Sequence, residues 1–151
     1  MDKELIDELY QSLILDHSRH PRNFGTLQCI HHAKGKNPSC GDNLELFLEL
    51  NEENIVENIK FKGDGCALSM SSASLMTQAI KGKSINEVKK LLNQFIEFIV
   101  DDEKTLDEQY GPLHIYSSVH NFPLRVKCVL LPWRTLEHIL NHQQDIATSE
   151  D

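Results

Sequence analysis

CGDNLELFLEL, residues 40–50, is the stretch most informative about the fold, because it joins a short polar turn to a segment of strict alternation. Leucine occupies every even position from 44 to 50, and a glutamate or phenylalanine fills each odd position between them. Successive side chains of a strand point to opposite faces, so the pattern predicts a strand over 43–50 with a leucine face on a core. Cys40 and Asp42 then lie in the loop that enters this strand.

The flanking segments predict further strands. Residues 51–54 are polar and read as a turn, and residues 55–62 alternate loosely, which predicts a hairpin with the preceding strand. A short strand is predicted over 27–33. The sequence therefore predicts an antiparallel meander.

Helical patterns surround this sheet. Apolar residues three and four apart predict a first helix over 3–18, which ends before Pro21. Gly63-Asp64-Gly65 is expected to break the third strand, and Cys66–Ile80 is predicted to be a helix rich in small residues. Ser84 and Glu87 form a capping-box pair that opens a third helix.

The C-terminal part is less regular. Residues 105–111 are predicted to be loop, 112–120 a short helix, and Thr135–His142 the end of a last helix. Pro132 either opens that helix or kinks it after a first turn that contains Cys128. We predict a single domain over residues 1–142 and a polar, frayed tail over 143–151.

Composition narrows the function classes. The chain has 151 residues, 40% of them hydrophobic, which is enough for one globular core. Its net charge of −8 makes a nucleic acid or an anionic membrane an unfavourable partner, since both are negative. We find no membrane-length apolar run and no basic, apolar leader, so we expect a cytoplasmic protein. In that reducing compartment, cysteines serve metals or redox chemistry more often than disulfides.

Three of the four cysteines carry the chemical signal. Cys40, Cys66 and Cys128 stand beside glycine or basic residues, and Asp42 adds a carboxylate. Thiolates are soft ligands for zinc or iron, and four donors suit a tetrahedral ion. The spacing lacks a Cys-x-x-Cys knuckle, so only folding can bring these donors together. Cys29 lies in an apolar stretch, and we interpret it as a buried or half-buried structural residue.

Several side chains admit two readings. Asp42 could be an exchangeable hard ligand, or a helix or turn cap beside Asn43. Arg125 and Lys127 could offset the charge of about −2 that three thiolates, a carboxylate and a divalent ion would leave, or could be solvated surface charges. We interpret all eight histidines as non-ligands, with His114 and His120 the least secure because their segment leads into Cys128.

Taken in order, these residues resemble a known family, the U-type iron–sulfur cluster assembly proteins. The similarity covers nearly the whole chain, and an ordered set is more specific than any one of its pieces. The matching residues are Asp16-His17, Pro21-Arg22-Asn23, Gly25, Asn37-Pro38-Ser39-Cys40-Gly41-Asp42, Gly63-Asp64-Gly65-Cys66, Ser69, Ser72-Ala73-Ser74, Met76, Gly82-Lys83-Ser84 and Lys127-Cys128.

The resemblance implies an α+β fold, with a small three-stranded antiparallel sheet and helices packed on it. It also implies sulfur transfer from a cysteine desulfurase, with Cys40, Asp42, Cys66 and Cys128 as the ligands. Members commonly hold zinc in this site when isolated, and either build a [2Fe–2S] cluster there or relay sulfur to downstream assembly or acceptor proteins.

Two departures from the IscU-like branch favour the SufU-like one. No histidine precedes Cys128, and residues 122–127 replace that branch's Leu-Pro-Pro-Val-Lys segment. Extra length around residues 98–117 also resembles the SufU-like branch, whose members are similar to zinc-dependent sulfur acceptors for a SufS-like desulfurase.

The preferred hypothesis is therefore a zinc-dependent sulfur relay with Cys40 as sulfur acceptor. The close alternative is a scaffold that builds and transfers a [2Fe–2S] cluster on the same residues. Two other classes remain: a structural zinc module for protein contact, against which the ample core argues, and a cysteine hydrolase, for which no histidine is marked out.

Overall fold

The computed structural model describes residues 2–141 and the backbone of residues 146–148. The chain forms an α+β fold with a sheet in the order β3-β2-β1-β4. Its helices are α1 (Lys3–Arg19), α2 (Ala67–Ile80), α3 (Ile85–Val100) and α4 (Pro123–Leu140), and its strands are β1 (His31–Asn37), β2 (Asp42–Leu50), β3 (Val56–Asp64) and β4 (Ile146–Thr148). Two 3₁₀ segments, Glu108–Tyr116 and Val119–Asn121, connect α3 to α4.

The predicted three-stranded antiparallel sheet is confirmed. β2 is central and pairs antiparallel with β1 on one side and β3 on the other. Its even-numbered leucines 44, 46 and 48 are buried, as the alternation predicted. β4 adds a short parallel pairing with β1. It falls inside the tail predicted to fray, and the remaining tail residues lie outside the described part of the chain.

The first strand lies further along the chain than predicted. β1 begins at His31, four residues after the predicted start at Leu27. Its Gly35 packs against α4 so closely that a Cβ there would stand 2.1 Å from Thr135 Oγ1. The strand was misplaced because Lys34-Gly35-Lys36 has weak strand propensity, and the close approach of α4 that requires glycine is a tertiary feature.

Two more boundaries differ from the sequence prediction. β3 ends at Asp64, opposite Asn43, which is within the predicted Gly63-Asp64-Gly65 break but two residues beyond the predicted strand end at 62. α4 begins at Pro123, and Pro132 lies in its interior. Pro132 therefore does not open the helix, and Cys128 belongs to its second turn. Proline is favourable at the first helical position because its absent N–H would be unpaired there.

The helices bury one face of the sheet. α4 contacts both β1 and α2, and the buried Trp133 stacks on Phe95 of α3 with ring centroids 4.2 Å apart. The predicted capping box of Ser84 and Glu87 is present at the start of α3. Within the described residues, no helix has the length and apolar character needed to cross a membrane.

Small residues let α2 sit at the centre of these helices. His17 of α1 is buried, and its Nδ1 lies 2.7 Å from Ser74 Oγ. Burial holds the pKa of His17 below its ordinary value. On the other side, Ser72 Oγ donates to the Val129 carbonyl at 2.6 Å. α2 is thus fixed to α1 and to α4, and its first residue follows Cys66 directly.

Candidate metal centre

A tight hairpin presents the first two predicted ligands. Asn37 and Asp42 are directly opposed in the β1–β2 ladder, so residues 38–41 form the whole loop between them. Gly41 has φ +71°, which favours glycine, and the Cys40 N–H donates to the Asn37 carbonyl at 3.2 Å. This geometry leaves Cys40 exposed at the hairpin tip and Asp42 buried at its base.

The turn from β3 into α2 supplies the third residue. Cys66 is the N-cap of α2, and its backbone N–H donates to Asp42 Oδ1 at 2.8 Å. Gly65 permits this approach, because a Cβ there would stand 2.7 Å from the same oxygen. Cys66 Sγ lies 4.0 Å from Asp42 Oδ2 and 3.8 Å from Ser69 Oγ. One Asp42 oxygen therefore accepts from the residue that opens α2, and the other faces the Cys66 sulfur.

Cys128 completes the arrangement from α4. Its side chain is buried, and its Sγ lies 3.4 Å from Cys40 Sγ. One donor atom each from Cys40, Asp42 and Cys128 lies within 4.8 Å of the others, a spacing that a single metal ion could bridge. Cys66 stands at the margin of this group, in contact with Asp42. All four cysteines are free thiols.

The pKa values of Cys66 and Cys128 are shifted in opposite directions. A hydrogen bond from the Cys128 thiol lowers the pKa of Cys66 to about 6, and contacts with Ser69 add to the effect. The same hydrogen bond, burial and the nearby Cys40 and Asp42 raise the pKa of Cys128. One thiolate forms readily, and the next is opposed by the charge already present. A divalent cation would remove that opposition, which makes the donor set suited to a metal.

Asn37 is the residue that our sequence reasoning overlooked. It is fully buried, and its Nδ2 donates to Asp42 Oδ2 at 3.1 Å and to Cys128 Sγ at 3.5 Å. Its Oδ1 is buried without a hydrogen-bond partner, which typically costs about 1–3 kcal/mol. Its place in the sequence could have marked it, since Asn37 opens the Asn-Pro-Ser-Cys-Gly-Asp segment. The orientation of its side chain, however, depends on the hairpin register.

The two predicted supporting cations, Arg125 and Lys127, differ in exposure. The exposed Arg125 places its guanidinium 4.4 Å from the centroid of the Phe122 ring, at the start of α4. Lys127 is half-buried and immediately precedes Cys128. The position of Arg125 fits the surface reading, and a role for either cation at the metal centre stays a prediction.

Residues predicted not to bind metal form hydrogen bonds with backbone carbonyls. Cys29 is half-buried and donates to the His31 carbonyl at 3.3 Å, and burial raises its pKa. His114 and His120 contact backbone carbonyls. In residues 2–141, the group with metal-ligand spacing contains no histidine. His142 lies outside the described residues.

Sequence comparison assigns this chain to a known family. The profile of the NifU-like N terminal domain matches residues 9–129. The chain belongs to the NifU-like N-terminal domain family. Within this family, it is 40% identical over 132 residues to the zinc-dependent sulfurtransferase SufU of Bacillus subtilis, covering 87% of this chain and 89% of that protein. The predicted SufU-like family resemblance is thereby confirmed.

Two further relatives agree with that assignment. The iron–sulfur cluster assembly scaffold protein IscU of Streptococcus pyogenes is 34% identical over 135 residues, covering 89% of this chain and 84% of that protein. The crystal structure of FiSufU from Fervidobacterium islandicum, described as an iron–sulfur cluster assembly scaffold for the SUF system, superposes with a TM-score of 0.80 at 33% identity. That alignment covers 92% of this chain and 99% of FiSufU, so the predicted fold class is confirmed.

Proposed function

We propose that this chain is an iron–sulfur cluster assembly protein that accepts sulfur on Cys40 from a SufS-like cysteine desulfurase. The observation that carries the proposal is the unequal exposure of the donors. Cys40 is exposed at a hairpin tip, whereas Cys128 and Asp42 are buried. A sulfur atom bound to another protein can reach only an exposed thiol. The name of the Bacillus subtilis relative, a zinc-dependent sulfurtransferase, supports the same reading.

Zinc is the resident metal in this proposal, held by Cys40, Asp42, Cys66 and Cys128. Three thiolates and one carboxylate match the soft ligands and fourfold coordination that zinc favours. Bound zinc would keep the three thiols deprotonated at neutral pH and protected from oxidation. Asp42 is the hard donor among three soft thiolates and is therefore the most easily displaced ligand of the four.

The transfer itself is a thiol–persulfide exchange. The Cys40 thiolate attacks the outer sulfur of the persulfide on the desulfurase, and a new S–S bond forms at Cys40. The S–S bond on the desulfurase breaks, and its cysteine leaves as the thiolate. The proton of the persulfide stays with the transferred sulfur. No oxidant is consumed, because the sulfane sulfur keeps its oxidation state.

The other residues define where this occurs. Cys128 is buried on α4 and Cys66 is half-buried at the start of α2, so the hairpin tip presents the most exposed of the three sulfurs. We place the reaction in the reducing cytoplasm, where four free cysteines persist. Downstream iron–sulfur assembly or acceptor proteins would then receive the sulfur from Cys40.

The second candidate is a scaffold that builds and transfers a [2Fe–2S] cluster. The Streptococcus pyogenes and Fervidobacterium relatives are both named as iron–sulfur cluster assembly scaffold proteins. The same four side chains would hold that cargo. A structural zinc module is disfavoured, because the apolar core extends over the sheet, α2, α3 and α4 and does not depend on a metal to be buried.

Isotope labelling tests the proposal. The zinc-loaded protein is incubated with a SufS-like desulfurase and with cysteine that carries labelled sulfur, and its peptides are mapped by mass spectrometry. We expect the Cys40 peptide to gain one labelled sulfur atom and the Cys29 peptide, an internal control, to gain none. Label that arrives first on Cys66 or Cys128, or on none of the three, would contradict the assignment of Cys40.

A further inference from the structure

Asn37 joins two of the proposed ligands that come from different parts of the fold. It is the last residue of β1 and is fully buried. Its side-chain nitrogen lies 3.1 Å from Asp42 Oδ2 and 3.5 Å from Cys128 Sγ. An asparagine amide nitrogen carries two hydrogens, which is one for each acceptor. A single side chain thus ties the hairpin to α4.

The orientation of this amide points to a role at the site. Its Oδ1 is buried without a partner. The flipped orientation would set that carbonyl against the carboxylate of Asp42 and the sulfur of Cys128, which is unfavourable when either is ionised. Both N–H groups therefore face the donors, although the carbonyl goes unpaired. The two hydrogen bonds become stronger when the acceptors carry negative charge, as Asp42 and Cys128 would as metal ligands.

The backbone of Asn37 reaches the third donor of the compact group. Its carbonyl accepts from the Cys40 N–H at 3.2 Å and so fixes the first turn of the hairpin loop. Because Asn37 and Asp42 are paired across the ladder, the two side chains have little freedom to separate. Asn37 therefore contacts Cys40 through its backbone and contacts Asp42 and Cys128 through its amide.

We propose that Asn37 is a positioning residue that holds Asp42 and Cys128 in ligand geometry and strengthens metal binding. This inference rests on the proposed function, in which those residues hold zinc. Hydrogen bonds from the amide spread the negative charge that three thiolates and a carboxylate concentrate. They also fix the direction in which the Asp42 oxygen and the Cys128 sulfur face the metal.

Asn37→Leu tests this role, because leucine has a similar size and no donor. We expect zinc affinity, measured by competition with a chromophoric chelator, to fall about 10–100-fold. In the cobalt-substituted protein, the sulfur-to-cobalt charge-transfer band is expected at longer wavelength, since a sulfur without a hydrogen bond gives up electron density more easily. Asn43→Leu is the matched control. Asn43 is exposed, and its amide donates to the Gly41 carbonyl.

The wild-type protein provides a second measurement that does not depend on how the variant folds. After loading with cadmium-113, the side-chain amide of Asn37 is expected to show a shifted proton resonance and scalar coupling to the metal through Cys128 Sγ. An ordinary, uncoupled amide resonance would overturn the inference. So would a folded Asn37→Leu protein with wild-type zinc affinity and an unchanged cobalt spectrum. Failure of the wild-type protein to bind cobalt through sulfur would instead refute the proposed function.

Discussion

Cys40→Ala is expected to lower sulfur transfer to the level that the desulfurase shows alone. The proposed step needs a thiolate that a partner can reach, and among the three clustered thiols only Cys40 is exposed. Alanine removes the attacking sulfur and leaves Cys128 buried beneath the hairpin. The measurement is the rate of sulfide or alanine release by a SufS-like desulfurase, with and without the zinc-loaded variant.

Cys29→Ala is the matched control for that experiment. Cys29 is half-buried, and its thiol donates to the His31 carbonyl. This substitution removes a sulfur of the same kind and is expected to leave stimulation unchanged. Because Cys40 is exposed, Cys40→Ala is expected to alter the stability of the metal-free protein by no more than about 0.5 kcal/mol. Full stimulation by folded Cys40→Ala protein would refute its role as sulfur acceptor.

Gly63→Ala is expected to cause the largest loss of stability. A Cβ at this position would stand 2.1 Å from the backbone oxygen of Asn43 and 3.0 Å from the Leu44 Cα. Both atoms belong to β2, which is held between β1 and β3 and cannot move aside. The φ of +155° is also unfavourable for alanine. We expect the free energy of unfolding to fall by about 3 kcal/mol, measured by urea denaturation.

Gly111→Ala is the control for the glycine substitution. A Cβ at Gly111 would meet no atom within 4 Å. At such a position alanine restricts the unfolded chain and strains nothing, so stability is expected to stay constant or rise by up to about 1 kcal/mol. Equal stabilities for the two variants would show that β2 and β3 are not packed as the structure has them.

The sequence predicted the centre of the fold because that part depends on local pattern. The alternation of residues 43–50 specifies which face of β2 is buried, and Ser84 with Glu87 marks the start of α3 through contacts three residues apart. Both signals lie within one element. They need no knowledge of what packs against it.

The misplaced boundaries depend on contacts between elements. Residues 34–36 are strand because they pair with β2 and β4, and glycine is required at position 35 because α4 packs directly against it. Pro132 remains within α4, where its neighbours Leu131 and Trp133 are buried. Their burial outweighs the hydrogen bond that proline cannot donate to Cys128. Contacts between elements of this kind cannot be read from the hydrophobic pattern of a single segment.

The candidate site, too, was predictable only in part. The chemistry of Cys40, Asp42, Cys66 and Cys128 could be inferred from residue type and from resemblance to a family. Their unequal exposure could not, because it arises where a hairpin tip meets the second turn of α4. The contacts of Asn37 were hidden for the same reason. They require both the β1–β2 register and the position of Cys128.

Zinc K-edge X-ray absorption of the purified, zinc-loaded protein tests most directly whether these four side chains form one centre. We predict one zinc per chain, with three sulfur neighbours at about 2.3 Å and one oxygen at about 2.0–2.2 Å. Cys40→Ala is expected to lower the sulfur number by one, and Cys29→Ala to leave it at three. A wild-type spectrum with two or fewer sulfurs, or with the multiple scattering of a histidine ring, would contradict the account.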